Sequence, residues 1–341
     1  MNKANILLIY TGGTIGMITD YDTGALKAFN FEELLEHVPE LKLLDHHIQT
    51  VSFAHPIDSS DMRPCHYDQM VELIEKNYAY YDGFVILHGS DTMAYTASAL
   101  SFMLENLTKP VILTGSQLPI GDLRTDAKEN LITAIQIAGW QRAGEPVIKE
   151  VGLYFEYKLY RGNRCTKINS ENFEAFTSPN LPPLIVSGVT LKINQEALRG
   201  VFRQGQFSVR KHLNGNVVIL RLFPGIQETT VKAILNIENL EGVILETYGT
   251  GNASTQSWFI QSLKEAIASG IYVVNVSQCL GGSVMMGRYE TSTELKSIGV
   301  ISGKDLTVEA AVTKMMYLLC CNLPAAVFKR RFETAIRGEM G

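Results

Sequence analysis

Short β-branched apolar runs recur along the chain, and between them the apolar positions fall at helical spacing. That alternation is the mark of βαβ units feeding a parallel sheet covered on both faces. The runs predict strands at Ile6 to Tyr10, Phe84 to His88, Val111 to Thr114, Val151 to Phe155, Val217 to Leu222, Val243 to Thr247 and Tyr272 to Val276. Helices fill the gaps. After Pro64, suited to a first helical turn, Tyr67, Met70, Val71, Ile74 and Tyr78 mark one face. Phe259, Leu263 and Ile267 mark another helix that should stop at Gly270, and a third runs from about Val308 to Leu319, before Pro324. Between Ile193 and Leu213 the pattern weakens: Asn, Gln and Gly break it, and Arg199, Arg203, Arg210 and Lys211 appear. The expected fold class is therefore α/β in two domains. A larger N-terminal domain, 1–193, carries a mostly parallel, doubly wound sheet; a linker spans 194–212; a smaller parallel-sheet domain occupies 213–341.

Composition narrows the function classes. Apolar residues make up 46% of the 341 and charged residues only 19%, which excludes a disordered chain. The formal net charge of −5, which no cluster of Lys and Arg overrides locally, argues against nucleic acid and anionic membranes as partners. No stretch approaches the ~20 apolar residues of a membrane span, and the run Ile6 to Ile9 is too soon broken by glycines for a signal-peptide core, so a cytoplasmic protein is expected. Its five cysteines form no CxxC pair, which suits free thiols. Metal and nucleotide sites fail on spacing: His46 and His47 are neighbours rather than an i, i+4 pair, and Gly12 to Gly16 lacks the GxGxxG order. No cofactor and no metal are expected.

Two strand ends carry chemistry. YTGGTIGM places Thr14 just after the first apolar run, and HGSDTM places Ser90 and Asp91 just after Phe84 to Leu87. Parallel strands collect ligand-binding groups at such carboxyl ends. A hydroxyl becomes a nucleophile when a base takes its proton and donors await the oxyanion, and Gly12 and Gly13 let backbone N–H groups approach a ligand closely. Taken alone, each loop also reads as a plain turn with Thr14, Ser90 or Asp91 as a cap. Asp91, before the helical pattern Met93, Ala97, Leu100 and Leu104, suits an α-ammonium group or a nearby lysine. Lys167, in a polar loop after Val151 to Phe155, suits the base or proton relay for Ser90. Asp58, Ser59 and Ser60 precede the Pro64 helix and offer hydroxyls and a carboxylate, and His88 reads as a hydrogen-bonded structural histidine.

With these segments in place, the chain resembles the asparaginase/glutaminase family, and within it the bacterial cytoplasmic type I enzymes. The resemblance rests on YTGGTIGM at 10–17, DSSDM at 58–62, DGFVILHGSDTMAYTASALSFMLENL at 82–107, TGSQLPI at 114–120, LYRGNR at 159–164, SPNLPPL at 178–184, YGTGNA at 248–253 and DLTVEA at 305–310. It implies hydrolysis of L-asparagine to L-aspartate and ammonia without a cofactor. By the same resemblance Thr14 forms an acyl-enzyme, and Ser90, Asp91 and Lys167 make the second catalytic group. Asp58, Ser59 and Ser60 grip the α-carboxylate, and Asp91 takes the α-ammonium. The family's homotetramer, a dimer of dimers, completes each site from a neighbour's C-terminal domain, where Asn252 would contribute.

Three positions depart from the family pattern. Ser90 stands where Thr is usual, keeping the hydroxyl without the methyl that restricts its rotamer. The loop tyrosine usual near Ala25 is absent, and Tyr21 is the nearest candidate. Members regulated by asparagine at a second site carry Arg where this chain has Glu246, so no such regulation is expected. The alternatives are a broader asparaginase/glutaminase and a catalytically impaired amino-acid sensor.

Overall fold

The computed structural model describes residues 3–19, 26–28, 38–199, 205–288 and 290–341. They divide into two compact units, Met1–Lys211 and His212–Gly341. The first is built on an eight-stranded sheet. Its strands are β1 (Ala4–Tyr10), β2 (His46–Ser52), β3 (Gly83–Leu87), β4 (Val111–Thr114), β5 (Val151–Phe155), β6 (Lys158–Arg161), β7 (Ile185–Val186) and β8 (Lys192–Ile193). Their order is β2-β1-β3-β4-β5-β6-β7-β8. The first five are parallel; β6 to β8 add antiparallel strands at the far side.

Strands β3, β4 and β5 are buried at every position, which is why they appear as continuous apolar runs. Edge strand β2 is half-exposed along its length, so its sequence, HHIQTVS, gives no such run. From β1 the chain goes out to the edge at β2, then returns to the other side of β1 for β3. The order reverses between β1 and β3, where Tyr10 lies opposite Leu87. At such a switch point the connections leave the two strands in opposite directions, and a crevice opens at their carboxyl ends.

Helices α1 (Pro64–Asn77), α2 (Met93–Met103) and α3 (Ala127–Ala138) cover the sheet. One core cluster joins alternate residues of the strands, Ile6, Leu8, Tyr10, Val85, Leu87 and Ile112, to Leu131 and Ile135 of α3. Helix α2 is buried on nearly all sides, leaving it no polar stripe.

Much of the stretch 194–212, whose composition suggests a linker, is fastened to the first unit. Ser208–Val209 pairs with Leu104–Glu105 at the end of α2, and Phe207 stacks on Tyr78 with ring centroids 3.6 Å apart. Lys211 reaches Glu75 at 3.1 Å and Glu72 at 3.5 Å. Buried Arg161, paired with Glu150 at 2.5 Å, donates to the Ala197 carbonyl at 2.8 Å.

The second unit carries four parallel strands in sequential order, β9 (Val217–Arg221), β10 (Gly242–Thr247), β11 (Tyr272–Ser277) and β12 (Ile301–Ser302). Its helices are α4 (Glu228–Leu235), α5 (Ser257–Ala268), α6 (Glu290–Ser297), α7 (Val308–Leu319) and α8 (Ala325–Phe332). Leu220, Val243, Leu245 and Val273 of the strands pack with Phe259 and Leu263 of α5. Beyond α5 the chain turns at Gly270, with φ +102°. Lys314 of α7, wholly buried, meets the equally buried Glu339 at 2.5 Å and donates to the carbonyls of Phe332 and Thr334. Among the described residues no helix is long and apolar enough to cross a membrane.

Candidate active site

The crevice at the ends of β1 and β3 is floored by main chain. Thr11 ties the two strands: its N–H donates to the Leu87 carbonyl at 3.1 Å, and its hydroxyl to the same oxygen at 2.8 Å. The chain then passes through Gly12 and Gly13, at φ +133° and +88°, into a single 3-10 turn, Thr14–Gly16. A Cβ on Gly12 would sit 2.1 Å from the Ile57 oxygen, one on Gly13 2.4 Å from the Gly89 nitrogen, and one on Gly89 2.5 Å from Ser59 Oγ. Three loops therefore meet at distances only glycine allows: the turn bearing Thr14, the segment leading into Asp58, and the loop bearing Ser90.

The Asp58 segment is locally self-supporting. Asp58 caps the turn Ser59–Asp61, its Oδ1 accepting from the Ser60 N–H at 2.9 Å and the Ser60 hydroxyl at 2.8 Å. Those bonds hold its carboxyl below the usual carboxylate range. Ser59 is buried and its carbonyl accepts from the Thr92 hydroxyl at 2.7 Å; Ser60 is exposed. Behind the Ser90 loop, His88 is fully buried. Its Nδ1 faces the Gly89 carbonyl at 2.7 Å, which can only accept, so the proton is on Nδ1 and Nε2 accepts from Thr96 Oγ1 at 2.9 Å. Burial pushes this imidazole down to about 4. The neutral ring fixes the loop just before Ser90, the hydrogen-bonded structural role expected of it.

Lys167 lies on the short strand Thr166–Lys167, which pairs with Phe176–Thr177. Its Nζ donates to Ser90 Oγ at 2.8 Å and to Asp91 Oδ1 at 2.7 Å. The lysine side chain is 16% exposed and Asp91 65%, so the ion pair is open on the carboxylate side. A fourth loop, after β4, brings Gln117 to Ser90 at 3.4 Å. Sequence reasoning noted TGSQLPI only as part of a family pattern and assigned Gln117 no role. The signal was present, since this loop too follows the carboxyl end of a buried parallel strand.

Thr14, Asp58, Ser59, Ser60, Ser90, Asp91 and Lys167 all lie in the first unit, and the last three are in direct contact. Asn252 belongs to the second unit, in a turn where it and Tyr248 exchange both backbone bonds at 2.9 Å. Tyr21, the candidate loop tyrosine, and Ala25 fall outside the described residues. Among the described residues no group of three or more His, Cys, Asp or Glu is placed to hold a metal ion.

Chemically, a glycine turn bearing the hydroxyl residue Thr14 abuts, at a switch point, the loop bearing a second hydroxyl, Ser90, which is hydrogen-bonded to a lysine. That arrangement suits attack on a carbonyl carbon with a proton relay at hand. The chain matches the family model "Asparaginase, N-terminal" over residues 5–199 and "Glutaminase/Asparaginase C-terminal domain" over 216–332. It is 42% identical to L-asparaginase 1 of Escherichia coli, covering 100% of this chain and 99% of that one. It is 41% identical to the 60 kDa lysophospholipase of Mus musculus, covering 99% of this chain but 63% of that longer protein. The crystal structure of L-asparaginase I from Vibrio cholerae superposes with a TM-score of 0.90 at 40% identity, covering 99% of both chains. Both halves of the sequence and the fold agree, and the chain belongs to the asparaginase family.

Proposed function

We propose that this protein hydrolyses L-asparagine to L-aspartate and ammonia. The observation that carries the reading is the Lys167 ammonium bridging Ser90 and Asp91 at 2.8 and 2.7 Å, on a loop whose glycine abuts the Thr14 turn. Family membership over the whole chain supplies the substrate class. Thr14 Oγ attacks the side-chain amide carbon and its proton is relayed to the departing nitrogen; the C–N bond breaks, ammonia leaves, and an ester to Thr14 remains. Water then attacks that ester while Lys167 is in its neutral form: the water's proton passes through Ser90 to Lys167, the ester C–O bond breaks, a proton returns to Thr14 Oγ to restore its hydroxyl, and aspartate is released. Asp58, Ser59 and Ser60 hold the α-carboxylate through hydroxyl and backbone donors. Asp91 takes the α-ammonium, its exposed carboxylate side being open to it. No step requires a metal or an organic cofactor.

Asn252 contributes from a neighbouring copy in a homotetramer built as a dimer of dimers, and the protein works in the cytoplasm, where its five free thiols stay reduced. Glutamine is the second substrate to test: the extra methylene is worth only ~1–3 kcal/mol of discrimination in a pocket. Ammonia release from asparagine checks the reading. Thr14→Ala and Lys167→Met are expected to lose at least a hundredfold in kcat; parental turnover in Thr14→Ala refutes the nucleophile, and asparagine binding without turnover in the parent marks a sensor.

A further inference from the structure

We propose that Gln117 is a positioning residue for Ser90, holding its hydroxyl in the rotamer that meets Lys167. The inference rests on the reading of Ser90 and Lys167 above. A serine hydroxyl has one hydrogen to donate, and its lone pairs accept. Lys167 Nζ meets Ser90 Oγ as a donor at 2.8 Å, so while Lys167 holds its proton the Ser90 hydrogen must point elsewhere. Its acceptor is Gln117 Oε1, at 3.4 Å.

Which end of the Gln117 amide faces Ser90 is set from the far side. The Asn172 carbonyl can only accept, and Gln117 Nε2 lies 3.0 Å from it, which turns Oε1 toward Ser90. The backbone beneath is equally fixed. The Gln117 N–H donates to the two oxygens of Asp126 at 3.1 and 2.9 Å, and the Leu118 N–H donates to Asp126 at 3.1 Å. Asp126 is buried and accepts from Asn130 Nδ2 at 3.2 Å, an amide that also donates to the Gly115 carbonyl at 3.0 Å.

A β-branched threonine is stiff at χ1, whereas serine samples three staggered wells, of which one serves Lys167 and Gln117 together. At 3.4 Å the bond to Gln117 is weak. That suits an acceptor that must release the hydrogen once Lys167 has lost its proton and Ser90 turns donor toward it.

The test is steady-state ammonia release from asparagine by the parent, Gln117→Met and Gln117→Glu, each with and without Ser90→Thr. Gln117→Met, near in shape but unable to accept, is expected to lower kcat about fivefold, the worth of one hydrogen bond, with KM within about twofold of the parent. Ser90→Thr should then raise kcat about threefold or more over its effect in the parent, because the methyl restores the lost restraint. In Gln117→Glu, whose carboxylate still accepts from Ser90, that extra gain should vanish. The proposal is overturned by parental kcat in Gln117→Met. It is also overturned by a Ser90→Thr effect of equal size in the parent and Gln117→Met backgrounds, which is what mere bracing of the loop through Asn172 gives. Ser90→Ala separates the two levels: parental turnover there sinks the catalytic reading of Ser90, whereas an inactive Ser90→Ala beside an unaffected Gln117→Met sinks the role of Gln117 alone.

Discussion

Gly13→Ala puts the main-chain floor of the site to a quantitative test. Gly13 sits at φ +88°, ψ 167°, a region open almost solely to glycine, and a side chain there costs ~1–3 kcal/mol in backbone strain. The new Cβ would also lie 2.4 Å from the Gly89 nitrogen, 2.6 Å from Gly89 Cα and 2.8 Å from the His88 carbonyl carbon. All three neighbours are backbone, so no rotamer relieves the overlap. Ordinary contact begins at 3.4 Å, so one loop must withdraw by 3.4 − 2.4, about 1 Å. Overpacking of this kind adds ~1–3 kcal/mol, for a total of about 4. Gly144 provides the control: its φ is +82°, and a Cβ there meets nothing within 4 Å, so Gly144→Ala carries backbone strain alone, about 1–2 kcal/mol. Thermal and urea denaturation should place Gly13→Ala about 2 kcal/mol below Gly144→Ala. Activity should separate them further. A 1 Å shift between Thr14 and the Ser90 loop is expected to cost on the order of a hundredfold in kcat/KM, while Gly144→Ala stays near the parent. Equal stabilities for the two variants, with parental kcat/KM in Gly13→Ala, would refute the claim that the loops are held in register by glycine.

His88 makes stability depend on pH. Its imidazole titrates near 6.5 in the unfolded chain and at about 4 when folded, so between those values the unfolded chain binds a proton that the folded chain refuses. Stability from this group therefore falls as pH drops from 6.5 to 4 and changes no further below, by on the order of 3 kcal/mol; melts at pH 7 and 4.5 should show an acid loss smaller by about that amount in His88→Asn. Glu339→Gln leaves Lys314 charged and buried without its counter-ion and should destabilise the second unit by ~3–5 kcal/mol, read as a lowered Tm and partly recovered by adding Lys314→Met. No recovery in the double variant would count against uncompensated charge as the cause. Glu246 is buried on β10 beside Arg221 at 3.6 Å, so an effector carboxylate would meet a like charge there. Initial rates should be hyperbolic in asparagine, and a sigmoidal curve abolished by changing Glu246 would overturn this.

How much was legible in the sequence follows from burial and range. Strands β1 and β3 announce themselves because both faces are covered and, Asn5 at the start of β1 aside, they carry no polar break; β2 does not, because an edge strand keeps polar residues on its open side. The two-residue strands β7 and β8 are too short for any period to register. At the site, Thr14, Ser90 and Asp91 stand out because glycine interrupts an apolar run just before them. That β1 and β3 are neighbours is a property of strand order, which no local window contains. Gln117 escapes for a related reason: its importance lies in one bond to Ser90, and its orientation depends on Asn172 and Asp126, partners outside its own turn.

The fastening of the 205–211 segment bears on how this protein can be divided. A fragment of the first unit cut at residue 193 would discard the strand that pairs with Leu104–Glu105, the ring that stacks on Tyr78 and the lysine held between Glu72 and Glu75. It would also leave the buried Arg161 without the Ala197 carbonyl. The natural end of that fragment is Lys211. Residues 205–211 thus behave as a strap belonging to one body, and composition alone marks where a chain stops being periodic, not where it comes loose.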